Sequence, residues 1–206
     1  MTSSGQIKID AMFFTATGEK ADDSNDKLDY KTKPSFILCN PNAMFYQHMI
    51  NYPHAYYLRY FLAKGINVMI WNYRGYGRSS AKKRCLCLGP SNSTTPQNIQ
   101  QDAEEVLAYM RKDMGLKGKL GVYGRSLGGI ATAHLADDVD MIIADRTFAN
   151  LDDVVERKFF GTPALCLYKS LTQTRYWRSS NDYNFVNKGI AEKIPSESVV
   201  HSSASQ

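Results

Sequence analysis

The segment Lys119–Ile130 constrains the fold of this 206-residue chain more than any other segment. Residues 120–123 are short and apolar, which predicts a buried parallel strand, and residues 127–135 are rich in Ala, Leu and Ile, which predicts a helix. Between them lies Gly-Arg-Ser-Leu-Gly at 124–128, a G-x-S-x-G sequence. A strand that reverses this sharply into a helix strains its central residue, and glycine on both sides removes the clash that larger residues would make.

Ser126 is the central residue of this turn, and Gly124 and Gly128 flank it. The turn lifts the serine hydroxyl clear of the sheet and places it at a helix N-terminus, where the N–H of Leu127 can stabilise negative charge. This arrangement predicts a nucleophile for acyl transfer. The alternative is a glycine-rich turn whose serine only caps a helix, but the position between a strand pattern and a helix pattern favours the nucleophile.

Strands alternate with helices along the rest of the chain. The apolar patterns predict strands at 7–15, 35–39, 66–71 and 141–144, helices at 55–63, 97–114 and 150–159, and a polar loop at 18–33. This alternation predicts the α/β class, with a mostly parallel sheet flanked by helices. Because sites form at the carboxyl ends of such strands, residues 40–43, 72–76, 124–128 and Asp145 are expected to share one crevice.

Composition narrows the class of function. The hydrophobic content of 43% and the charged content of 22% are typical of a soluble globular protein. No G-x-G-x-x-G sequence and no Walker lysine is present, so no cofactor is predicted. The four cysteines (Cys39, Cys85, Cys87 and Cys166) have neither metal-ligand spacing nor a disulfide framework, which predicts no metal and a reducing compartment.

The charge pattern bears on partners and location. The net charge is +5, and its densest cluster is Lys82, Lys83 and Arg84, which is either a solvated loop or a contact with an anionic membrane surface. No partner nucleic acid is predicted, because only the pI would support one. No apolar run reaches the roughly 18 residues of a membrane span, and the first residues lack the apolar centre of a signal peptide. The expected location is therefore cytoplasmic, with peripheral membrane contact as an option.

Four segments together resemble the α/β-hydrolases. They are Leu38-Cys-Asn-Pro-Asn-Ala-Met-Phe-Tyr46, Trp71-Asn-Tyr-Arg-Gly-Tyr-Gly-Arg-Ser79, Asp102-Ala-Glu104 and Gly124-Arg-Ser-Leu-Gly-Gly129, in matching order and spacing. The chain looks most similar to the serine-aminopeptidase-like branch, which contains phosphatidylserine lipases and protein depalmitoylases. The resemblance implies a serine hydrolase that cleaves esters or thioesters, with fatty-acyl substrates among the options, through an acyl-serine intermediate.

The resemblance also implies roles for individual residues. Ser126 corresponds to the nucleophile and Leu127 to the first N–H donor of the oxyanion hole. The family sequence His-Gly-Asn-Ala, which supplies the second donor, corresponds to residues 40–43, Asn-Pro-Asn-Ala, so Asn42 is the expected donor. Pro41 has no N–H of its own, but the donor at Asn42 remains.

The acid and the base of a catalytic triad are not identifiable from the sequence. Asp145 is a candidate acid, and the competing interpretation is a structural carboxylate paired with Arg146 or Arg125. His134 lies eight residues after Ser126 on the same predicted helix, about 12 Å at a rise of 1.5 Å per residue, which excludes it as the base. The other histidines, His48, His54 and His201, are weak candidates.

In this family the acid and the histidine follow on later strands, and roughly 70 to 100 more residues would be expected. We therefore expect residues 1–34 to form an N-terminal strand and polar loop, 35–195 a partial α/β-hydrolase domain lacking its last strands, and 196–206 a disordered tail. Strand 141–144 would then be an edge despite its buried pattern. Such a chain is predicted to be an incomplete or inactive hydrolase, and the alternative function is a catalytically silent binding module.

Overall fold

A five-stranded sheet carries most of the core. The computed structural model describes residues 2–3, 7–16, 29–51, 55–81 and 94–148. The strands are β1 (Thr2–Ser3), β2 (Ile7–Lys8), β3 (Ala11–Phe14), β4 (Ser35–Cys39), β5 (Asn67–Trp71), β6 (Ser80–Ala81), β7 (Leu120–Arg125) and β8 (Met141–Asp145). The large sheet has the order β3-β5-β4-β7-β8, and only the β3–β5 pair in it is antiparallel. The prediction of a mostly parallel sheet is confirmed.

Helices cover both faces of this sheet. They are α1 (Tyr46–Met49), α2 (Tyr56–Ala63), α3 (Pro96–Ala108) and α4 (Gly129–His134), with short 3-10 turns at Asp29–Lys31 and Ser126–Gly128. On one face α2 packs against β4, β5 and β7 through Leu58 and Phe61. On the other face α3 and α4 pack through Ile99, Val106 and Ile130. The central strands β4 and β5 are buried along their whole length because neighbouring residues point to opposite, covered faces.

The prediction of one strand at 7–15 is wrong, because the strand is interrupted before Ala11, at Asp10. Residues Ile7–Lys8 pair with β6 in a small antiparallel sheet, whereas Ala11–Phe14 join the large sheet beside β5. The Asp10 N–H donates to Ser79 Oγ at 2.9 Å, and its carboxylate accepts from Gln47 Nε2 at 2.9 Å and from Tyr46 Oη at 3.1 Å. These contacts draw Asp10 out of a continuous ladder.

Two helices differ from their predicted form. Helix α3 begins where expected, and Thr95 Oγ1 accepts from the Asn98 N–H at 3.1 Å. The helix predicted at 97–114 does not continue as an α-helix to its end, because Tyr109–Asp113 after α3 form a π-helical turn. The helix predicted at 127–135 begins with the 3-10 turn before α4. By contrast, α2 matches its predicted range within one residue and ends before Gly65, whose φ is +74°.

Strand β8 is less buried than its apolar sequence predicts. Met141 is 50% exposed, Ala144 is exposed, and Ile142 and Ile143 are half-buried. Within the described ranges β8 pairs with β7 alone, so it forms the edge of the sheet there. The buried pattern of the sequence is not matched by burial here, whereas the position at an edge agrees with the prediction for this strand among the described residues.

Several sequence predictions lie outside the described residues. These are most of the loop at 18–33, the helix at 150–159, the tail at 196–206 and the basic cluster at 82–84. None of the helices in the described part of the chain has the length and apolar character needed to span a bilayer.

A buried ion pair fastens the turn after β5 to α3. The Arg74 and Asp102 side chains are 5% and 0% exposed, and the guanidinium bonds the carboxylate through Nη2 and, at 3.1 Å, through Nε. The Arg74 N–H also donates to Asp102 Oδ2 at 3.1 Å. Burial raises the pKa of Asp102 above its ordinary value, and the Arg74 guanidinium opposes that rise. The paired groups thus satisfy each other where water does not reach.

Replacing Asp102 with Asn keeps the side-chain shape but leaves the Arg74 charge buried without a counter-charge. We expect the free energy of unfolding to fall by about 3–5 kcal/mol, measured by urea denaturation. The matched control is Asp140→Asn, which removes a carboxylate that is 45% exposed and 3.8 Å from Arg111 but keeps an oxygen for the Leu120 N–H. That control is expected to cost less than about 1 kcal/mol, and equal losses in the two variants would contradict the assignment.

Candidate active site

Ser126 lies in a strained turn between β7 and α4. Arg125 before it is extended, with φ −106° and ψ 131°, and Ser126 itself has φ +51°. Residues other than glycine rarely adopt such a φ, and this conformation persists only where neighbouring groups hold it in place. Thr147 Oγ1 donates to the Ser126 carbonyl at 2.9 Å. The serine side chain is neither fully exposed nor sunk in the core, since the residue is half-buried.

The flanking glycines are required by close contacts. A Cβ on Gly124 would overlap Thr132 Oγ1 and the Gly128 carbonyl, and a Cβ on Gly128 would overlap the carbonyl of Cys39. The first contact lets α4 return tightly over β7, and the second brings the turn against the end of β4. Larger residues at these two positions would force the turn and the strand apart.

The loop 40–43 follows β4 at the same edge of the sheet. Cys39 is opposite Gly124 in the parallel ladder, so this loop and the Ser126 turn leave adjacent strands side by side. Asn40 is fully buried: its Nδ2 donates to the Trp71 carbonyl at 2.7 Å, and its own carbonyl accepts from Tyr73 Oη at 2.5 Å. Asn40 Oδ1 is buried without a hydrogen-bond partner among the described residues.

The outer part of this loop is exposed and strained. Asn42 and Ala43 are exposed, and Ala43 has φ +59°. Asn42 Oδ1 accepts from Tyr76 Oη at 2.7 Å, and the Ala43 N–H lies 3.5 Å from the same hydroxyl. Asn42, the expected oxyanion donor, thus lies in an exposed loop that leaves the strand next to that of Ser126.

Cys39 is a second potential nucleophile near the turn, but its thiol is protonated. It is 1% exposed at the end of β4, and this burial raises its pKa to about 12. The thiolate is the reactive form of cysteine, so at neutral pH Cys39 is inert. This excludes Cys39 and leaves Ser126 as the candidate nucleophile of these two groups.

Asp145 lies at the end of β8 with its carboxylate already engaged. It accepts from Tyr123 Oη at 2.6 Å and Tyr57 Oη at 3.2 Å, and from Arg146 Nε at 2.9 Å, while Arg125 Nε lies 3.7 Å away. Burial acts to raise the pKa of Asp145, but hydrogen bonds from Arg146 and Tyr123 hold it below its ordinary value. Both arginines named from the sequence therefore contact this carboxylate.

The two described histidines have their contacts away from Ser126. His48 is exposed on α1, where its ring meets Phe45 edge-on at 4.3 Å. His134 Nε2 lies 2.5 Å from Glu104 Oε1 on α3. His54 and His201 lie outside the described residues. In the described ranges no group of three or more His, Cys, Asp or Glu side chains could hold a metal ion.

The sequence placed Tyr73 and Tyr76 at this crevice within residues 72–76, but it did not predict the bonds that they make, and it missed Tyr57 and Tyr123. Tyr73 and Tyr76 bond the loop 40–43, and Tyr57 and Tyr123 bond Asp145. Tyr73 and Tyr76 follow the end of β5, which is why the rule that sites form at strand carboxyl ends included them. Tyr57 could not have been found this way, because it reaches Asp145 from 88 residues away.

Comparison with known proteins gives distant relatives. No protein-family model matches the chain. An uncharacterized membrane protein of Saccharomyces cerevisiae is 31% identical over 134 residues, which are 63% of this chain and 42% of that protein. Protein bem46 of Schizosaccharomyces pombe is 25% identical over 164 residues, which are 77% of this chain and 48% of that protein. The chain spans less than half the length of the curated relatives it matches.

Solved structures share the architecture at low sequence identity. A proposed hydrolase from Agrobacterium vitis S4 superposes with a TM-score of 0.55 and 14% identity, over 84% of this chain and 59% of that one. Est1E from Butyrivibrio proteoclasticus, solved with ferulic acid, gives a TM-score of 0.50 and 16% identity, over 68% and 49%. The mostly parallel sheet with helices on both faces is the arrangement expected of this fold. The chain has the α/β-hydrolase fold.

Proposed function

We propose that the protein is a serine hydrolase that cleaves a carboxylic ester or thioester through an acyl-Ser126 intermediate. The observation that carries this proposal is the conformation of Ser126: a half-buried serine with φ +51°, held between a parallel strand and a helix by two sterically required glycines. A turn that only capped a helix would not need a strained backbone, since serine caps helices from extended conformations. Strain of this kind is typical of active sites.

The proposed chemistry has two halves. The Ser126 hydroxyl attacks the substrate carbonyl carbon, its proton passes to a general base, and the N–H groups of Leu127 and Asn42 stabilise the oxyanion. The leaving alcohol or thiol takes a proton as its bond to carbon breaks. Water then attacks the acyl-serine, releasing the carboxylic acid and restoring the hydroxyl. Because His134 is bonded to Glu104 and the His48 ring contacts Phe45 rather than Ser126, we infer that the base comes from outside the described residues.

For Asp145 we propose a structural role rather than that of the catalytic acid. Four side chains surround its carboxylate, and the hydrogen bonds from Tyr57 and Tyr123 tie α2 and β7 to β8. A triad acid orients a histidine, whereas this carboxylate is occupied by hydroxyl and guanidinium donors. This assignment leaves the acid, like the base, to residues beyond those described.

An acyl ester is the proposed substrate class. Est1E binds ferulic acid, a carboxylic acid of the kind that ester hydrolysis releases. A fatty-acyl group and contact with a membrane surface through Lys82, Lys83 and Arg84 stay predictions, since that cluster lies outside the described residues. The second candidate function is a catalytically silent binding module, favoured because neither described histidine bonds Ser126: His134 bonds Glu104 and the His48 ring contacts Phe45.

A fluorophosphonate probe separates the two functions, because it reacts with activated serines. We expect the native full-length chain to be labelled at Ser126, read out by mass spectrometry of the tryptic peptide, and Ser126→Ala to show only background labelling. The control Cys39→Ala is expected to keep its labelling, because the buried thiol is not a nucleophile. A folded wild-type protein that takes up no probe would overturn the hydrolase proposal in favour of the silent module.

The role of Asp145 can be tested through pH. Its folded-state pKa is lowered, so its carboxylate adds stability above the unfolded pKa of about 3.9, and this stability disappears as the pH falls through the folded pKa. We expect Asp145→Asn to lower the unfolding free energy by about 2 kcal/mol at pH 7 and by much less at pH 3, measured by urea denaturation. Asp113→Asn, an exposed control, is expected to change little at either pH. Lost turnover in Asp145→Asn without lost stability would indicate a catalytic acid instead.

A further inference from the structure

The loop 40–43 lacks the support that a strand or helix would give it. Asn42 and Ala43 are exposed, and Ala43 holds a φ of +59° without being glycine. The backbone bond across this loop, from the Met44 N–H to the Pro41 carbonyl, is long at 3.4 Å. An oxyanion donor must be held in place before the reaction, because reorganising it would cost catalytic power. Some other group must therefore fix this loop.

Two tyrosines from the turn after β5 hold the loop at both ends. Tyr73 is fully buried, and its hydroxyl donates to the Asn40 carbonyl at 2.5 Å. Tyr76 is half-buried, and its hydroxyl donates to Asn42 Oδ1 at 2.7 Å. The same hydroxyl lies 3.5 Å from the Ala43 N–H. The inner contact anchors the start of the loop, and the outer contact reaches the residue that carries the proposed donor.

The turn that presents these tyrosines is itself well braced. The two rings meet edge-on at 5.6 Å, and the Tyr76 N–H donates to the Tyr73 carbonyl at 2.8 Å. The buried Arg74–Asp102 pair fastens the residue between them to α3. The Ser79 N–H donates to the Tyr76 carbonyl at 2.9 Å. A side chain on this braced turn can therefore hold the loop 40–43 in place, which the loop's own backbone hydrogen bonds do not do.

We propose that Tyr76 is a positioning residue, whose hydroxyl fixes Asn42 so that the backbone N–H of Asn42 is ready for the substrate oxyanion. This role rests on the proposed function of Ser126. Tyr76 acts through Asn42 and touches no reacting atom. Its contact differs from that of Tyr73 in one respect that makes it testable. Loss of the Tyr73 hydroxyl leaves a buried carbonyl without a donor, whereas water can replace the Tyr76 hydroxyl at an exposed amide.

The first test is the kinetics of Tyr76→Phe in the full-length chain, with p-nitrophenyl acetate as substrate. We expect kcat to fall about tenfold, KM to stay within about twofold, and Tm to stay within about 2 °C, because one oxyanion donor loses its orientation while the fold is kept. Tyr56→Phe, at a tyrosine that is 68% exposed, is the matched control and is expected to match wild type. An unchanged kcat in Tyr76→Phe would overturn the proposal.

A double-mutant cycle isolates the contact itself. Asn42→Ala removes the acceptor of the Tyr76 bond but keeps the backbone N–H, so kcat is expected to fall by a similar factor. The double variant is expected to be no slower than either single variant, because both changes break the same bond. If the loss of kcat in the double variant equalled the product of the two single losses, Tyr76 would act through a contact other than Asn42.

A separate readout distinguishes failure of this proposal from failure of the hydrolase proposal. We expect ¹⁵N relaxation to give order parameters of about 0.85 for the Asn42 and Ala43 amides in wild type and below about 0.6 in Tyr76→Phe. Unchanged order parameters in a protein that fluorophosphonate labels at Ser126 would overturn the positioning role alone. A wild type without Ser126-dependent labelling would overturn the hydrolase function, and the positioning role with it.

Discussion

The parallel pairing of β4 with β7 is the constraint on which the candidate site depends. It sets Cys39 opposite Gly124, so the loop 40–43 and the Ser126 turn leave neighbouring strands at one edge. The fit is tight, because the Cys39 carbonyl occupies the space that a side chain on Gly128 would need. A shift of one residue in this register would turn every side chain of one strand to the opposite face. The close approach of the Cys39 carbonyl to Gly128 therefore ties the site to this register.

The turn after β5 contacts the loop 40–43 through side chains rather than through the ladder of the sheet. Its position is set by the buried Arg74–Asp102 pair, which is stable only because both partners are present and hydrogen-bonded. From this anchored turn Tyr73 and Tyr76 reach the loop after β4. The sheet thus brings the strand ends together, and polar side chains fix the loops that the sheet leaves free.

The sequence predicted those features that depend on local pattern. Strands 35–39 and 66–71, helix 55–63 and the turn at Ser126 follow from apolar runs and glycine spacing, and the structure confirms their places. What the sequence could not predict depends on distant partners. The break at Asp10 arises from residues 36 to 69 positions away, and the environment of Asp145 includes Tyr57, 88 positions away. A buried Asp102 also looks like any polar residue on an amphipathic helix until Arg74 is seen beside it.

The strain at Ser126 is one of three cases of backbone strain at this edge of the sheet. Among the described residues, the non-glycine residues with positive φ are Ala43, Ser126 and Arg146. They follow β4, β7 and β8, three adjacent strands, and all lie beyond the carboxyl ends. A left-handed conformation costs a non-glycine residue roughly 1–2 kcal/mol, so a fold under no other demand would place glycine there. Each is held by a side-chain contact instead: Tyr76 for Ala43, Thr147 for Ser126 and Asp145 for Arg146. Since ligands bind at this edge of open α/β sheets, strain concentrated there favours the hypothesis of a binding or catalytic site at these loops.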